Sequence, residues 1–227
     1  MNVDWVELVS MLAVLLFSLS VHESAHAWTA DRLGDPTARN LGRISLNPLR
    51  HADPFGTFLF PLIGYFTGFF VGWAKPVPVN VAALRQPKRD YMLVAAAGPI
   101  SNVLIAAGLF LLLFLLKSSS GPMELAVNQA VRGFGRAEGA MTVLVPILAM
   151  AYFGVWINIL LAIFNLIPVA PLDGAAVVSG LLPEPVARSF DALQSYGIIV
   201  LIVLIYYGVP GYLFFPVLDR VRSLLVL

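Results

Sequence analysis

Long stretches of this sequence carry no charge, and those gaps constrain the fold more than any other feature. Residues 54–74, 91–116, 139–172 and 192–218 contain no Asp, Glu, Lys or Arg, and in 8–30 the only ionisable groups are His22, Glu23 and His26. A helix needs about 20 apolar residues to cross a bilayer core, and every one of these stretches is long enough. Of 227 residues, 59% are hydrophobic and only 12% charged, about half the usual share of charge in a globular chain. The 14 Lys and Arg against 13 Asp and Glu leave no basic excess, which excludes nucleic acid as a partner. Cysteine is absent, so any metal must be held by His, Asp, Glu or backbone oxygen.

These gaps predict an all-α membrane protein, a polytopic transmembrane helix bundle forming one embedded domain over 1–227. Spans are expected at about 6–30, 91–116, 142–167 and 192–218. The leader before the first is acidic, unlike that of a cleaved signal peptide. Pro168 and Pro171 end the third span, because proline lacks the backbone donor and clashes with the preceding turn. Gly197, Gly208, Pro210 and Gly211 interrupt the fourth. Region 55–81 is poor helix material, punctuated by Gly56, Pro61, Gly64, Gly68 and Gly72. It reads as a re-entrant hairpin with an extended exit or as an extra span, with the hairpin preferred. Arg32, Arg39, Arg43, Arg50, Lys75, Arg85, Lys88 and Arg89 all lie between the first span and Tyr91. By the positive-inside rule that connector is cytoplasmic, giving a multi-pass protein of the cell membrane. In the opposite connector, 123–131 is a candidate surface helix.

Two of the three histidines stand four apart as His22-Glu23-Ser24-Ala25-His26. On a helix, residues i and i+4 share a face, so both imidazoles reach one tetrahedral Zn²⁺, while Glu23 is placed to reach a metal-bound water. This is the pattern of a metalloprotease with Glu as general base. Ionisable groups at mid-helix cost about 2.5–3.5 kcal/mol each. Three within five residues need a shared partner, and a divalent cation supplies it.

Catalytic zinc takes three protein ligands and leaves one position open. Among the acids, Asp173 stands out, because it follows the uncharged run 139–172 in Asn165-Leu-Ile-Pro-Val-Ala-Pro-Leu-Asp-Gly174. His51, in a basic polar loop, is the competing ligand, with a structural role preferred. For Asp173 to meet His22 and His26, the chain must cross the membrane an even number of times between them. Spans 91–116 and 142–167 supply two crossings, hence the preference for a hairpin at 55–81.

Several blocks resemble the site-2 protease family of intramembrane zinc metalloproteases, in its short prokaryotic branch without PDZ or CBS domain. They are His22-Glu23-Ser24-Ala25-His26, Gly42-Arg-Ile-Ser-Leu-Asn-Pro48, Gly72-Trp-Ala-Lys-Pro-Val-Pro-Val-Asn80, Gly98-Pro-Ile-Ser-Asn102, and Asn165-Leu-Ile-Pro168 with Pro171-Leu-Asp-Gly174. The resemblance implies that His22, His26 and Asp173 hold one Zn²⁺ per chain near the cytoplasmic side, and that Glu23 activates water. It implies peptide-bond hydrolysis in or near transmembrane segments of membrane proteins, as in regulated intramembrane proteolysis. It also suggests that Asn102 holds the substrate backbone or the developing oxyanion, with Asn165 similarly placed. Where the family often has a glycine and an arginine after Leu-Asp-Gly, this chain has Ala175 and Ala176. That departure touches the local turn and the substrate fit rather than the ligand. The extended stretch around Val77 and Val79 is expected to pair with an unwound substrate as an added strand. The competing classes are an inactive membrane-binding homologue and a metal transporter. Intact Glu23 argues against the first, and clustering of the ligands at one depth against the second.

Overall fold

The computed structural model describes residues 4–67, 72–119, 121–132 and 141–226, which are mostly helical with no strand among them. Helix α1 (Trp5–Arg32) starts where Asp4 Oδ1 accepts the amide hydrogens of Val6 and Glu7, which its own helix leaves unpaired. After the short α2 (Thr37–Asn40), a π-helical turn at Pro54–Leu59 runs into α3 (Phe60–Thr67). Helix α4 (Pro87–Ser118) has Pro87 in its first turn, where the missing amide hydrogen costs nothing. Then come α5 (Pro122–Val131), α6 (Met141–Asn165), α7 (Asp173–Leu181), α8 (Glu184–Leu193), α9 (Gly197–Tyr206) and α10 (Val209–Val226).

Four helical stretches are long and apolar enough to cross a membrane: Trp5–Arg32, Pro87–Ser118, Met141–Asn165 and Glu184–Tyr206. The chain is a multi-pass membrane protein. Helix α4 is its centre and packs against α1, α6 and α7. The last stretch is not one helix across 192–218. It breaks after Tyr206, where Gly208 adopts φ +70, a conformation open mainly to glycine, and α10 starts afresh at Val209. Gly197 abuts Ala170 at the site end, while Lys117 Nζ–H donates to Leu224 O at the far end. The broken pair α9–α10 therefore runs the length of the bundle.

Region 54–74 has its two ends side by side. The Trp73 amide donates to Gly56 O at 3.0 Å, and the Lys75 amide to His51 O at 2.8 Å. Thr57 Oγ1–H donates to Trp73 O. Residues 68–71, within this stretch, lie outside the described residues. The apolar helix Pro54–Phe66 is about 20 Å long at 1.5 Å per residue, short of the roughly 30 Å bilayer core. After it the chain runs from Gly72 to Asn80 in neither helix nor strand, with Ala74 buried against Leu15, Leu19, Ile157 and Leu161.

Candidate metal centre

Helix α1 buries His22, Glu23 and His26, with His22 about 15 Å from the end of the helix at Arg32 by its rise per residue. Proline stops after α6 let the chain turn so that Asp173 begins α7 facing back towards α1. The two Nε2 atoms stand 3.0 Å apart, and Asp173 Oδ2 lies 3.2 Å from His22 Nε2 and 3.4 Å from His26 Nε2. Donors on a tetrahedron of radius 2.0–2.1 Å are separated by about 3.3–3.4 Å, so the triangle has the size of a zinc site's face. The far side of each ring agrees. His22 Nδ1 is 2.6 Å from Asn102 Oδ1, and His26 Nδ1 is 2.7 Å from Val94 O. Both partners accept, which assigns the ring proton to Nδ1 and leaves each Nε2 with its lone pair.

Three acceptors thus face one point, and Asp173 Oδ2 is buried without a hydrogen-bond partner. One shared proton could bond a single pair of them. A divalent cation satisfies all three, and a His₂Asp set suits zinc. Gly98 makes room for the rings, since a Cβ there would collide with both His26 Nε2 and His22 Cε1. Among the described residues, no other group of metal-capable side chains converges in this way.

A cavity of about 240 Å³ opens in front of the triad, and Glu23, Val77, Val79, Tyr91 and Asn165 line it with His22, His26 and Asp173. Glu23 Oε2 accepts the amide hydrogen of Val77 at 2.8 Å. Asn165 Nδ2–H donates to Leu161 O. Asn102 is placed differently from the sequence expectation. It is fully buried behind His22, with Oδ1 on the imidazole and Nδ2–H donating to Asn158 Oδ1 at 2.7 Å, so it orients the His22 ring and does not face the cavity. The amide of Val77 is committed to Glu23 and Pro76 and Pro78 have none, so pairing along 76–78 would rest on carbonyl acceptors. Asn158 was missed in the sequence, where a lone asparagine in an apolar run looks like any packing residue.

His51 stands apart from the triad, with Nε2–H donating to Ser45 O at 2.8 Å. Burial pushes its pKa below the usual histidine value, with Arg43 and Arg50 adding to this against the Ser45 carbonyl. Asp35 anchors the far end of the 72–80 stretch by accepting from the Asn80 amide at 2.7 Å. Burial would raise its carboxyl, but bonds from the Thr37 hydroxyl and the Thr37 and Asn80 amides hold it below the ordinary range. A second cavity, of about 660 Å³, adjoins the first between α4, α7 and α8, and Tyr91, Pro171, Leu172 and Ala176 line both.

The family model described as peptidase family M50 matches residues 10–205. The chain belongs to peptidase family M50. It is thus a metalloprotease by family, in a multi-pass membrane protein. It is 35% identical over 215 residues to "Putative zinc metalloprotease YwhC" of Bacillus subtilis, covering 94% of this chain and 87% of that protein. "Putative zinc metalloprotease Rip2" is 25% identical in Mycolicibacterium smegmatis and 26% in Mycobacterium tuberculosis; these matches cover 87% and 86% of this chain and 66% of each Rip2. No solved structure matches this M50 chain.

Proposed function

We propose that the chain is a zinc-dependent intramembrane endopeptidase that hydrolyses peptide bonds in or near transmembrane segments of membrane proteins. One observation carries the reading: three ligands converge with an open side, and a carboxylate shares the cavity on that side. His22, His26 and Asp173 hold the zinc, and Glu23 is the general base. Bound zinc supplies Lewis acidity, polarising a carbonyl and acidifying water. Glu23 takes the proton of the attacking water and returns it to the leaving amine. Asn165, on the cavity wall, is placed to bond the substrate backbone, and the carbonyls of 76–78 offer it further acceptors. The site faces the cytoplasmic side of the cell membrane, where the basic connector lies. The 54–74 hairpin enters and leaves on that side, which keeps Asp173 on the same face as the histidines.

Cleavage of a single-span membrane protein by the detergent-purified chain tests this. Glu23→Gln is expected to retain zinc and to lose about 10²–10⁴-fold in cleavage rate. Equal cleavage by both proteins would sink the mechanism.

A further inference from the structure

Behind the metal centre, five hydrogen bonds connect three helices of the bundle. Ser18 Oγ–H donates to Val14 O at 2.8 Å. Asn158 Nδ2 donates to Ser18 Oγ and to Gly154 O, each at 2.8 Å. Asn102 Nδ2 donates to Asn158 Oδ1 at 2.7 Å, and Asn102 Oδ1 faces His22 Nδ1 at 2.6 Å. Asn102 and Asn158 are fully buried and Ser18 is 1% exposed. Helices α1, α4 and α6 each contribute to the network.

Each link dictates the direction of the next. Gly154 O can only accept, and the Ser18 proton is spent on Val14 O, so both groups at that end of Asn158 require its nitrogen. Asn158 must then show its oxygen to Asn102. Asn102 answers with its nitrogen and turns its own oxygen to His22. An amide oxygen only accepts, so His22 carries its proton on Nδ1 and keeps the Nε2 lone pair for the metal. Had Asn158 been an apolar residue, Asn102 could rotate its amide, and its nitrogen would then ask His22 for the opposite tautomer, with a proton facing the metal. For side chains as fully buried as these, an unpaired amide is costly enough to enforce the order.

We propose that Asn158 is a positioning residue for the metal centre: acting through Asn102, it fixes which nitrogen of His22 is free to bind zinc. This rests on the reading of His22 as a zinc ligand. Outer-shell partners of metal ligands are worth about 10–100-fold in metal affinity. Three substitutions separate the positioning role from packing. Asn158→Leu keeps the volume and removes both polar ends. Asn158→Ser keeps a hydroxyl that bonds back to Gly154 O but is too short to reach Asn102. Asn158→Asp, held neutral by full burial, keeps an oxygen for Asn102 and an O–H for Gly154 O.

The experiment measures zinc affinity of the detergent-purified full chain by competition with a chelator, alongside thermal unfolding. Asn158→Leu and Asn158→Ser are expected to bind zinc about 10–100-fold more weakly, with Asn158→Asp within about threefold of wild type on the same scale. Asn158→Ser serves alone if Asn158→Leu does not fold. Wild-type zinc affinity in a folded Leu or Ser variant overturns this inference alone, even where the unfolding midpoint drops. A wild type that binds no zinc overturns the underlying reading and the inference with it.

Discussion

Helices α4 and α6 serve two ends of the molecule under different rules. At one end they meet α1 through Asn102, Asn158, His22 and Ser18, with hydrogen bonds fixing each group's orientation. At the other they meet α5 and α10 through Leu113, Val127, Val145 and Leu225, which pack by shape. Lipid tails are as apolar as leucine, so packing at the second end gains dispersion and little hydrophobic driving force. The first end gains direction, because a buried amide bonded the wrong way round is penalised where no water substitutes. Stability and metal binding should therefore respond separately to substitutions at the two ends.

The largest expected effect on stability comes from the apolar end. Leu113→Ala should destabilise the fold by about 2–3 kcal/mol, near the low end for buried leucines because the cavity dominates in lipid. Zinc affinity should not move, and a denaturant titration beside chelator competition checks both. Gly98→Ala probes the polar end, where its methyl would collide with both imidazoles. A zinc affinity lower by about 10–100-fold is expected, as for disturbed outer-shell groups. Unchanged affinity would show that the rings have slack. Asn165→Ala should raise KM about fivefold, the worth of roughly one hydrogen bond, and leave zinc content alone; a change in zinc content would move Asn165 into the ligand shell.

The smallest effect tests the connector that ties the 72–80 stretch to α1. Burial would raise the Asp35 carboxyl, but the bonds from Thr37 and Asn80 outweigh it and hold it below the ordinary aspartate value in the folded chain. Its stabilisation is therefore complete above the unfolded value and is lost as pH falls through the lower folded one. The gap in unfolding midpoint between wild type and Asp35→Asn should be constant above about pH 5 and shrink in acid. A gap that widens on acidification would contradict the assignment.

Much of this was legible in the sequence because charge in a membrane is expensive. Gaps between charges outlined three of the four helical stretches long enough to cross a membrane, and the exceptions, Glu23 and Asp173, stand together in one cavity. The i, i+4 spacing put His22 and His26 on one face without any tertiary information. Asn102 was less legible: its position near the site could be read, but whether it looked at substrate or at His22 depends on the rotation of α4 against α1. Asn158 lies 56 residues from Asn102, and nothing local links them. The bond from Val77 to Glu23 depends on where the 72–80 stretch lies across α1, which is a tertiary matter. At Gly208 the glycine signalled an interruption, while the full break with positive φ depends on how α9 and α10 dock.

Zinc counted per chain in purified wild type, His51→Ala and Asp173→Ala tests the central claim most directly. About one zinc is expected in wild type and in His51→Ala, with occupancy in Asp173→Ala falling well below half, as for loss of one of three ligands. Full occupancy in Asp173→Ala, or its loss in a folded His51→Ala, would contradict the assignment of the metal centre.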